Sequence, residues 1–446
     1  MTLFPGNRSF KGGVHPPEKK SVTENLPFEI LPMPRQISVP ILQHLGKPAK
    51  AVVKKGSEVK AGEIIAEQQG FISSSIHSPA SGTVLKIATD SGVNGFPGNS
   101  IVIQTKNENQ LLTLPPLNPD TVTPPEIIER VKAAGIVGQG GAAFPTYVKL
   151  SPPEGKIIDT VILNGCECEP YLTRDYRLMM ERTDDVITGL LLIMRAIGVK
   201  KGIVAVEDNK PEAIAKLTAA AGKYPGIYID VLRTKYPQGA EKMLIKAVKG
   251  REVPPGKLPF DAGVSIQNIG TAVSIFDAVI KGEPQITAAL TVSGGGVNIP
   301  KNLIVPVGTS LKDILDFCGG VRDDAARVIV GGPMMGIAQF DFSAPVMKAT
   351  SGILVLTEDE VRANDDTPCL RCGMCVDVCP VNLLPTRLVR LSQLDRIEDA
   401  EQLNITLCME CGTCAYTCPS NIPMVQWIRL GKQKVIALQK ERQSAV

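Results

Sequence analysis

The sequence has no excess of either charge: 48 Lys and Arg stand against 45 Asp and Glu, a formal net charge of +3 over 446 residues. So balanced a chain lacks the basic stripe that grips a phosphate backbone, which excludes nucleic acid as its partner. Pairs such as Lys54-Lys55 and Lys200-Lys201 read as solvated surface. Long apolar runs are also missing. The most hydrophobic helical stretch, "VITGLLLIMRAIGV", is too short for a bilayer and carries Arg195, and the opening "MTLFPGNRSFKGG" has no signal-peptide core. A cytoplasmic protein, soluble or peripheral to a membrane, is expected. Nor is a disulfide framework expected, because eight of the eleven cysteines crowd into two short runs near the C-terminus, a metal-binding pattern.

What is present points to several domains, since 446 residues exceed what one core usually serves. Residues 1–33 read as an N-terminal arm. Residues 34–110 hold short strands punctuated by glycine, "AKAVVKKGSEVKAGEIIAEQ" and "SSIHSPASGTVLKI", and resemble the lipoyl/biotinyl-type β-sandwich. Phe71 stands where that family carries its modified lysine, so the fold is expected without the swinging arm. Residues 111–125 form a linker whose repeated prolines forbid helix interior and sheet ladder alike. Over 126–283, "PEIIERVKAAGIV" has helical spacing, and strands "DTVILN", "GIVAVE" and "YIDVLRT" alternate with helical segments, the rhythm of a Rossmann-like α/β unit. Residues 284–357 read as two strands, a turn and a short helix, a β-grasp module. Residues 358–446 are helical and cysteine-bearing, ending in an amphipathic helix expected to dock through Val425, Ile428 and Ile436.

The runs "CLRCGMCVDVCP" (369–380) and "CMECGTCAYTCP" (408–419) both read C-x2-C-x2-C-x3-C-P. Three cysteines at this spacing reach three corners of one cubane, and the fourth, followed by proline, turns to the other cluster. Cys369, Cys372, Cys375 and Cys418 are thus expected to hold one [4Fe-4S] cluster, and Cys408, Cys411, Cys414 and Cys379 the second. Zinc knuckles need cysteine pairs at suitable separation and fit two full four-cysteine copies poorly. Of the remaining cysteines, Cys318 sits in an apolar context and reads as a buried thiol.

"GQGGAAFPTYVK" (138–149) formally satisfies G-x-G-x-x-A, yet follows a helical segment and runs into Pro145, unlike a dinucleotide motif between strand and helix. On the motif alone, a ligand loop and a plain glycine-rich connection are equally supported. "VILNGCECEP" then places Asn164, Glu167 and Glu169 just past a strand end, where open α/β sheets bind ligands. Alternation sends the side chains of Cys166, Glu167, Cys168 and Glu169 to opposite faces, against a metal site there.

"GQGGAAFPTYVK", "NGCECEP", "YPQGAEK", "KLPF" and "QNIGTA" occur in the order found in the FMN- and NADH-binding flavoprotein subunit of respiratory complex I, followed as there by a β-grasp (SLBB) module. With "GGVHPPEKK", the lipoyl-like region and the two-cluster tail, nearly the whole chain resembles the RnfC family of the Rnf (Rsx) ion-translocating electron transport complexes. The resemblance implies a multidomain α/β protein carrying non-covalent FMN, two [4Fe-4S] clusters and a site for NAD(H). It implies that Gly138, Gly140, Gly141 and Lys149 line the flavin, with Asn164, Asn268 and Thr271 on its ribityl and phosphate oxygens. Phe144 and Phe260 would wedge the nicotinamide nucleotide, with Glu167 nearby, Glu169 and Glu241 on hydroxyls and Lys257 on a phosphate. Cys166 stands where complex I has an aspartate, and Ala240 where it has a glutamate.

The resemblance further implies a ferredoxin:NAD+ oxidoreductase (translocase) component, peripheral on the cytoplasmic face of the bacterial inner membrane. Its partners would be membrane and iron-sulfur subunits coupling electron flow to Na+ or H+ movement, with ferredoxin acting indirectly. The rival readings are a soluble NADH-linked diaphorase or hydrogenase component, a protein of the cobalamin-reductase type, and an electron relay with a degenerate nucleotide site.

Overall fold

The strand-and-turn rhythm after the arm folds as two facing sheets. The computed structural model describes residues 9–92, 97–106, 110–361 and 367–444. Parts of the expected arm, sandwich and cysteine-bearing unit at 1–8, 93–96, 107–109, 362–366 and 445–446 lie outside the described residues. The arm contains strand β1 (Phe28–Ile30), and the sandwich follows as β2 (Gln36–Pro40), β3 (Lys50–Ala51), β4 (Glu58–Val59), β5 (Ile64–Glu67), β6 (Ile76–His77), β7 (Gly82–Ser91) and β8 (Pro97–Thr105). The sheets run β2-β8-β7-β4 and β3-β5-β6. Alternate residues of these strands point inward, so Ile37, Val39, Ile65, Ile76, Ile101 and Ile103 fill the space between the sheets. Each such side chain contributes about 1.5–3 kcal/mol.

The α/β unit contains α1 (Pro124–Ala133), α2 (Thr146–Lys149), β9 (Thr160–Gly165), α3 (Arg174–Glu181), α4 (Thr183–Ile197), β10 (Gly202–Glu207), α5 (Pro211–Ala221), β11 (Ile227–Leu232), α6 (Glu241–Lys249), β12 (Val264–Asn268) and α7 (Ile269–Phe276). Its sheet is ordered β11-β10-β9-β12 and every pair is parallel. Helices cover both faces, which is why β10 buries all six of its residues and reads as a continuous apolar run. Gly189 brings α4 onto α7: a Cβ there would lie 2.2 Å from the Ala272 carbonyl oxygen.

The β-grasp region is larger than two strands and a helix. It holds β13 (Thr287–Ser293), β14 (Lys301–Pro306), α8 (Leu311–Phe317), β15 (Ala325–Val330), β16 (Ile337–Gln339) and β17 (Gly352–Thr357). The arm adds β1 to its edge, giving the order β1-β14-β13-β17-β15-β16. Cys318, at the end of α8, is fully buried.

The C-terminal region holds α9 (Met374–Asp377), α10 (Pro385–Gln393), α11 (Ile397–Gln402), α12 (Thr413–Tyr416) and α13 (Met424–Ser444). Helix α13 docks through Met424, Ile428, Gly431 and Val435, whereas the expected anchor Ile436 is exposed. Gly431 sets that face. A Cβ there would come within 2.1 Å of Ser392 Oγ on α10, so the glycine meets the neighbour and Ile436, about 100° round from Val435, turns away.

Buried lysines tie the units together. Lys348 Nζ donates to the carbonyls of Ser75 (3.0 Å) in the sandwich and Gly135 (2.7 Å) after α1, and burial pushes its pKa down to about 7. Lys20 of the arm donates to the carbonyls of Glu169 (2.9 Å) and Leu172. Among the described residues, no helix is long and apolar enough to cross a membrane.

Candidate functional site

In the α/β sheet the chain moves outward from β9 through β10 to β11, then returns to the other side of β9 with β12. This is a topological switch point, where the carboxyl ends of adjacent strands open a crevice. Asn268 ends β12 and pairs in register with Asn164, the penultimate residue of β9. Over them lies the glycine loop, closed at its stem by the Gly138 N–H donating to the Phe144 carbonyl (2.9 Å) and by a bridge between Val137 and Pro145. Gly140, Gly141 and Ala142 form its exposed crest.

The loop is held from below by polar contacts. The Gln139 N–H donates to Thr271 Oγ1 (3.0 Å), and Gln139 Nε2 donates to the Gly270 carbonyl and to Ser274 Oγ. Asn268 Oδ1 accepts from the Gly270 N–H (2.8 Å) and so caps α7, while its Nδ2 donates to Asp175 Oδ2 (2.7 Å). Arg174, only 2% exposed, pairs with Asp175 and donates through Nη2 to the Gln139 carbonyl (3.1 Å). Its Nη1 is buried without a partner among the described residues. Such an orphaned donor is costly unless a ligand accepts from it.

A Cβ on Gly140 would lie 2.9 Å from Asn268 Cβ, whereas Gly141, at φ +144°, has open space. Glycine is thus required at one position for close approach and at the next for backbone conformation. A glycine crest over a capped helix N-terminus and an unpartnered guanidinium nitrogen fits a phosphate-bearing cofactor such as FMN. Arg174 and Asp175 escaped the sequence reading because charged residues are ordinarily assigned to the surface. The available signal was "TRDYR", a charged pair directly after the strand-end segment.

The other candidate residues divide by role. Lys149 and Glu241 meet as a half-buried ion pair (3.3 Å) at the crevice edge. Asn164 Nδ2 donates to the Gly239 carbonyl (2.7 Å), fixing the loop before α6. Phe260 is half-buried in a short turn, and Lys257 beside it is exposed. Glu167 turns inward and accepts from the N–H groups of Asp175 (2.7 Å) and Tyr176 (3.3 Å), capping α3. Glu169 accepts from the N–H groups of Met334 and Met335, both at 3.0 Å, in the β-grasp region. Its carboxylate is engaged there, and burial pushes its pKa up to about 7.

The cysteines form two cavities in the crossed arrangement. Cys369, Cys372, Cys375 and Cys418 line one; Cys379, Cys408, Cys411 and Cys414 line the other. Each cavity thus carries the four-cysteine set that a [4Fe-4S] cubane takes. The two runs repeat one backbone conformation, with positive φ at Arg371 and Glu410, at Gly373 and Gly412, and at Asn382 and Asn421. The Arg371 N–H reaches Cys369 Sγ and the Glu410 N–H reaches Cys408 Sγ, both at 3.4 Å. Burial pushes the Cys408 thiol up to about 11 and raises Cys375, Cys411 and Cys414 as well, so these sulfurs need bound iron to ionise at neutral pH.

The inner cavity abuts the α/β unit. Tyr236 Oη donates to the Cys411 carbonyl (2.7 Å), and Tyr236, Cys168, Val14, Met334 and Cys411 pack in one apolar cluster.

Family models match this chain in four places: an RnfC barrel sandwich hybrid domain over 8–108, a Nuo51 FMN-binding domain over 131–277, an SLBB domain over 290–338 and a 4Fe-4S dicluster domain over 368–422. The C component of the proton-translocating ferredoxin:NAD(+) oxidoreductase complex of Clostridium ljungdahlii is 45% identical over 403 residues, 89% of this chain and 87% of that protein. The chain belongs to the RnfC family of ion-translocating oxidoreductase complexes. Other RnfC relatives are the C component of the Na(+)-translocating complex of Acetobacterium woodii, at 41% identity over 89% of this chain and 90% of that protein, and one of Rhodobacter capsulatus, at 41% over 91% and 79%. A solved NAD+-reducing [NiFe]-hydrogenase in its air-oxidized state overlaps 73% of this chain and 71% of that chain at TM-score 0.49 and 18% identity, too loosely to carry an assignment.

Proposed function

We propose that this RnfC protein is the NAD(H)-binding, iron-sulfur component of a ferredoxin:NAD+ oxidoreductase, peripheral on the cytoplasmic face of the cell membrane. Membrane subunits would couple the electron flow to Na+ or H+ translocation, and partner iron-sulfur subunits would connect it to ferredoxin. The observation that carries the reading is a juxtaposition: one loop joins the crevice to a four-cysteine cavity, its Gly239 carbonyl accepting from Asn164 at the crevice and its Tyr236 donating to the Cys411 carbonyl.

When bound, FMN exchanges hydride with nicotinamide and single electrons with iron-sulfur clusters, which is the conversion this pairing of sites requires. The protein's residues supply placement. Gly138, Gly140 and Gly141 let the backbone approach the flavin, Asn164, Asn268 and Thr271 hold its polar oxygens, and Arg174 Nη1 offers a donor to its phosphate. Lys149 and Glu241 flank the crevice, Phe144 and Phe260 wedge the nucleotide, and Lys257 takes a phosphate at the open edge. Glu167 and Glu169 act from behind, the first as the cap of α3 and the second as a latch to the β-grasp region. The eight run cysteines hold the clusters, the inner set nearest the crevice and the outer set facing the partners.

The test is NADH titration of the anaerobically purified, FMN-supplemented protein while flavin and cluster absorbance are followed. Bleaching of both, lost or weakened in Lys257→Ala and Arg174→Ala, is the expected result. Intact clusters with no flavin binding and no response to NADH would leave only an electron relay.

A further inference from the structure

The glycine pair Gly12-Gly13 of the arm lies where the run that supplies Cys379 meets the α/β unit. The Gly13 N–H donates to the Val378 carbonyl (2.8 Å), next to Cys379. One residue on, Val14 exchanges two hydrogen bonds with Tyr236, donating to its carbonyl (2.8 Å) and accepting from its N–H (2.9 Å). Tyr236 in turn donates to the carbonyl of Cys411, another member of the inner set. Two consecutive arm residues therefore join the cysteine run to the loop that leads to the crevice.

Glycine is required at both positions of the pair. Gly12 and Gly13 have φ of +81° and +78°. A Cβ on Gly12 would lie 3.0 Å from the carbonyl oxygens of Val378 and Cys379, and one on Gly13 would lie 2.6 Å from the Tyr236 carbonyl oxygen. Conformation and space both exclude a side chain, so bare backbone lies against the run. Anchors flank it. Phe10 is buried, its carbonyl accepts from Lys235 Nζ (2.9 Å), and that ammonium sits 4.6 Å from the centre of the Phe10 ring. Val14 is buried among Tyr236, Cys168, Met334 and Cys411. Farther along, the Glu18 carbonyl accepts from the Tyr171 N–H (2.8 Å), and the buried Lys20 donates to the Glu169 and Leu172 carbonyls. Between the anchors, Lys11 is exposed.

We propose that residues 10–14 are a strap that seats the inner cluster against the flavin unit and keeps water from its Cys379 side, with Gly12 and Gly13 as positioning residues for electron transfer. The electron-transfer part rests on the functional reading above; the shielding part does not. A reduced cluster carries more negative charge than an oxidised one and gains more from water, so burial holds its potential down. Lifting the strap should raise the potential of the inner cluster alone. The outer set, with Cys369 and Cys372 already exposed, is the internal reference.

The test compares the full-length protein, loaded with both clusters and FMN, with Gly13→Ala and Gly12→Val. Trypsin cleavage after Lys11, read by mass spectrometry, reports opening of the strap. It should quicken about tenfold, equivalent to about 1.4 kcal/mol taken from the closed form. Potentiometric titration with electron paramagnetic resonance should show the inner potential raised and the outer one unmoved, and a chelator should strip the inner cluster faster. In rapid mixing with NADH, flavin reduction should keep its rate while transfer from flavin to the inner cluster slows, despite the greater driving force. Faster cutting with an unmoved inner potential would overturn the proposal, leaving the strap a mere fastening. Equal shifts or losses at both clusters, in both variants, would assign the segment to folding in general and overturn it too. Unchanged cutting would show that the glycines do not hold the strap, and undiminished transfer would overturn the seating. If NADH reduces neither flavin nor cluster in the unaltered protein, the functional reading fails, and the potentials still decide the shielding.

Discussion

The two cysteine cavities are built from one repeated sequence and one repeated backbone, yet their surroundings differ. In the outer cavity Cys369 and Cys372 are exposed, beside Leu370 at 70% exposure and the exposed Arg371. In the inner cavity Cys379, Cys411 and Cys414 are buried and Cys408 half-buried. Glu410, the counterpart of Arg371, is clamped by Arg429 (2.7 Å) and Lys432 (2.9 Å) from α13. The Gly13 N–H of the arm reaches the Val378 carbonyl (2.8 Å), and Tyr236 holds the Cys411 carbonyl. The repeat therefore sets how a cluster is held, and the rest of the chain sets what it faces. One cavity opens to solvent while the other is sealed against the α/β unit.

Breaking the crossed ligation should have the largest effect. Cys379→Ala is expected to remove the inner cluster, although Cys379 lies in the same run as the outer ligands, and so to lower iron content by about half. The surviving cluster should be the chelator-sensitive, exposed one. Iron analysis with electron paramagnetic resonance before and after chelator treatment checks this, and loss of the outer cluster instead would refute the crossing.

Two glycines sharpen the contrast. Gly373 and Gly412 have φ near +82° and +81°, but a Cβ on Gly373 meets nothing within 4 Å, whereas one on Gly412 comes within 2.8 Å of the Met334 carbonyl oxygen. Gly373→Ala should cost only the left-handed backbone term, about 1–2 kcal/mol. Gly412→Ala should add about 1–3 kcal/mol of overpacking. Thermal loss of cluster absorbance in the two variants measures the difference, and equal losses would argue against the β-grasp contact.

Glu169, latched to that same Met334 loop, gives a pH signature. Its folded pKa of about 7 lies above its ordinary 4.5, so between those values the folded protein holds a proton that the unfolded chain releases. Stability from this group is full below about pH 4.5, falls as pH rises to about 7 and is level above. Glu169→Gln should flatten that part of the Tm–pH profile. An unchanged slope would place its origin elsewhere.

The smallest expected effect is at Tyr236. Tyr236→Phe removes one hydrogen bond, about 1 kcal/mol, and takes a positive O–H dipole away from the inner cluster. Its midpoint potential should fall while that of the outer cluster stays fixed. Potentiometric titration followed by electron paramagnetic resonance separates the two.

The fold was legible where local pattern decides it. "GIVAVE" is β10 residue for residue, and the helical spacing of "PEIIERVKAAGIV" falls on α1, which opens at Pro124. The cysteine spacing foretold both cavities because ligand geometry is written into a twelve-residue run. The docking face of α13 was legible at Ile428 but not at Ile436, since it depends on Gly431 meeting Ser392 across the sequence. At the crevice, Gly140 and Asn268 meet from distant segments, and the inward turn of Glu167 and Glu169 and the burial of Arg174 arise from the same tertiary packing. A carboxylate beside a motif reads the same in sequence whether it faces a ligand or caps a helix.

The central claim is that the inner cysteine set stands between the flavin crevice and the outer set. Rapid-mixing reduction of the FMN-loaded protein by NADH, in the unaltered chain and in Cys379→Ala, tests it most directly. The account predicts that flavin reduction by NADH survives in Cys379→Ala while reduction of the outer cluster slows by orders of magnitude. Reduction of the outer cluster at an undiminished rate in that variant would contradict it.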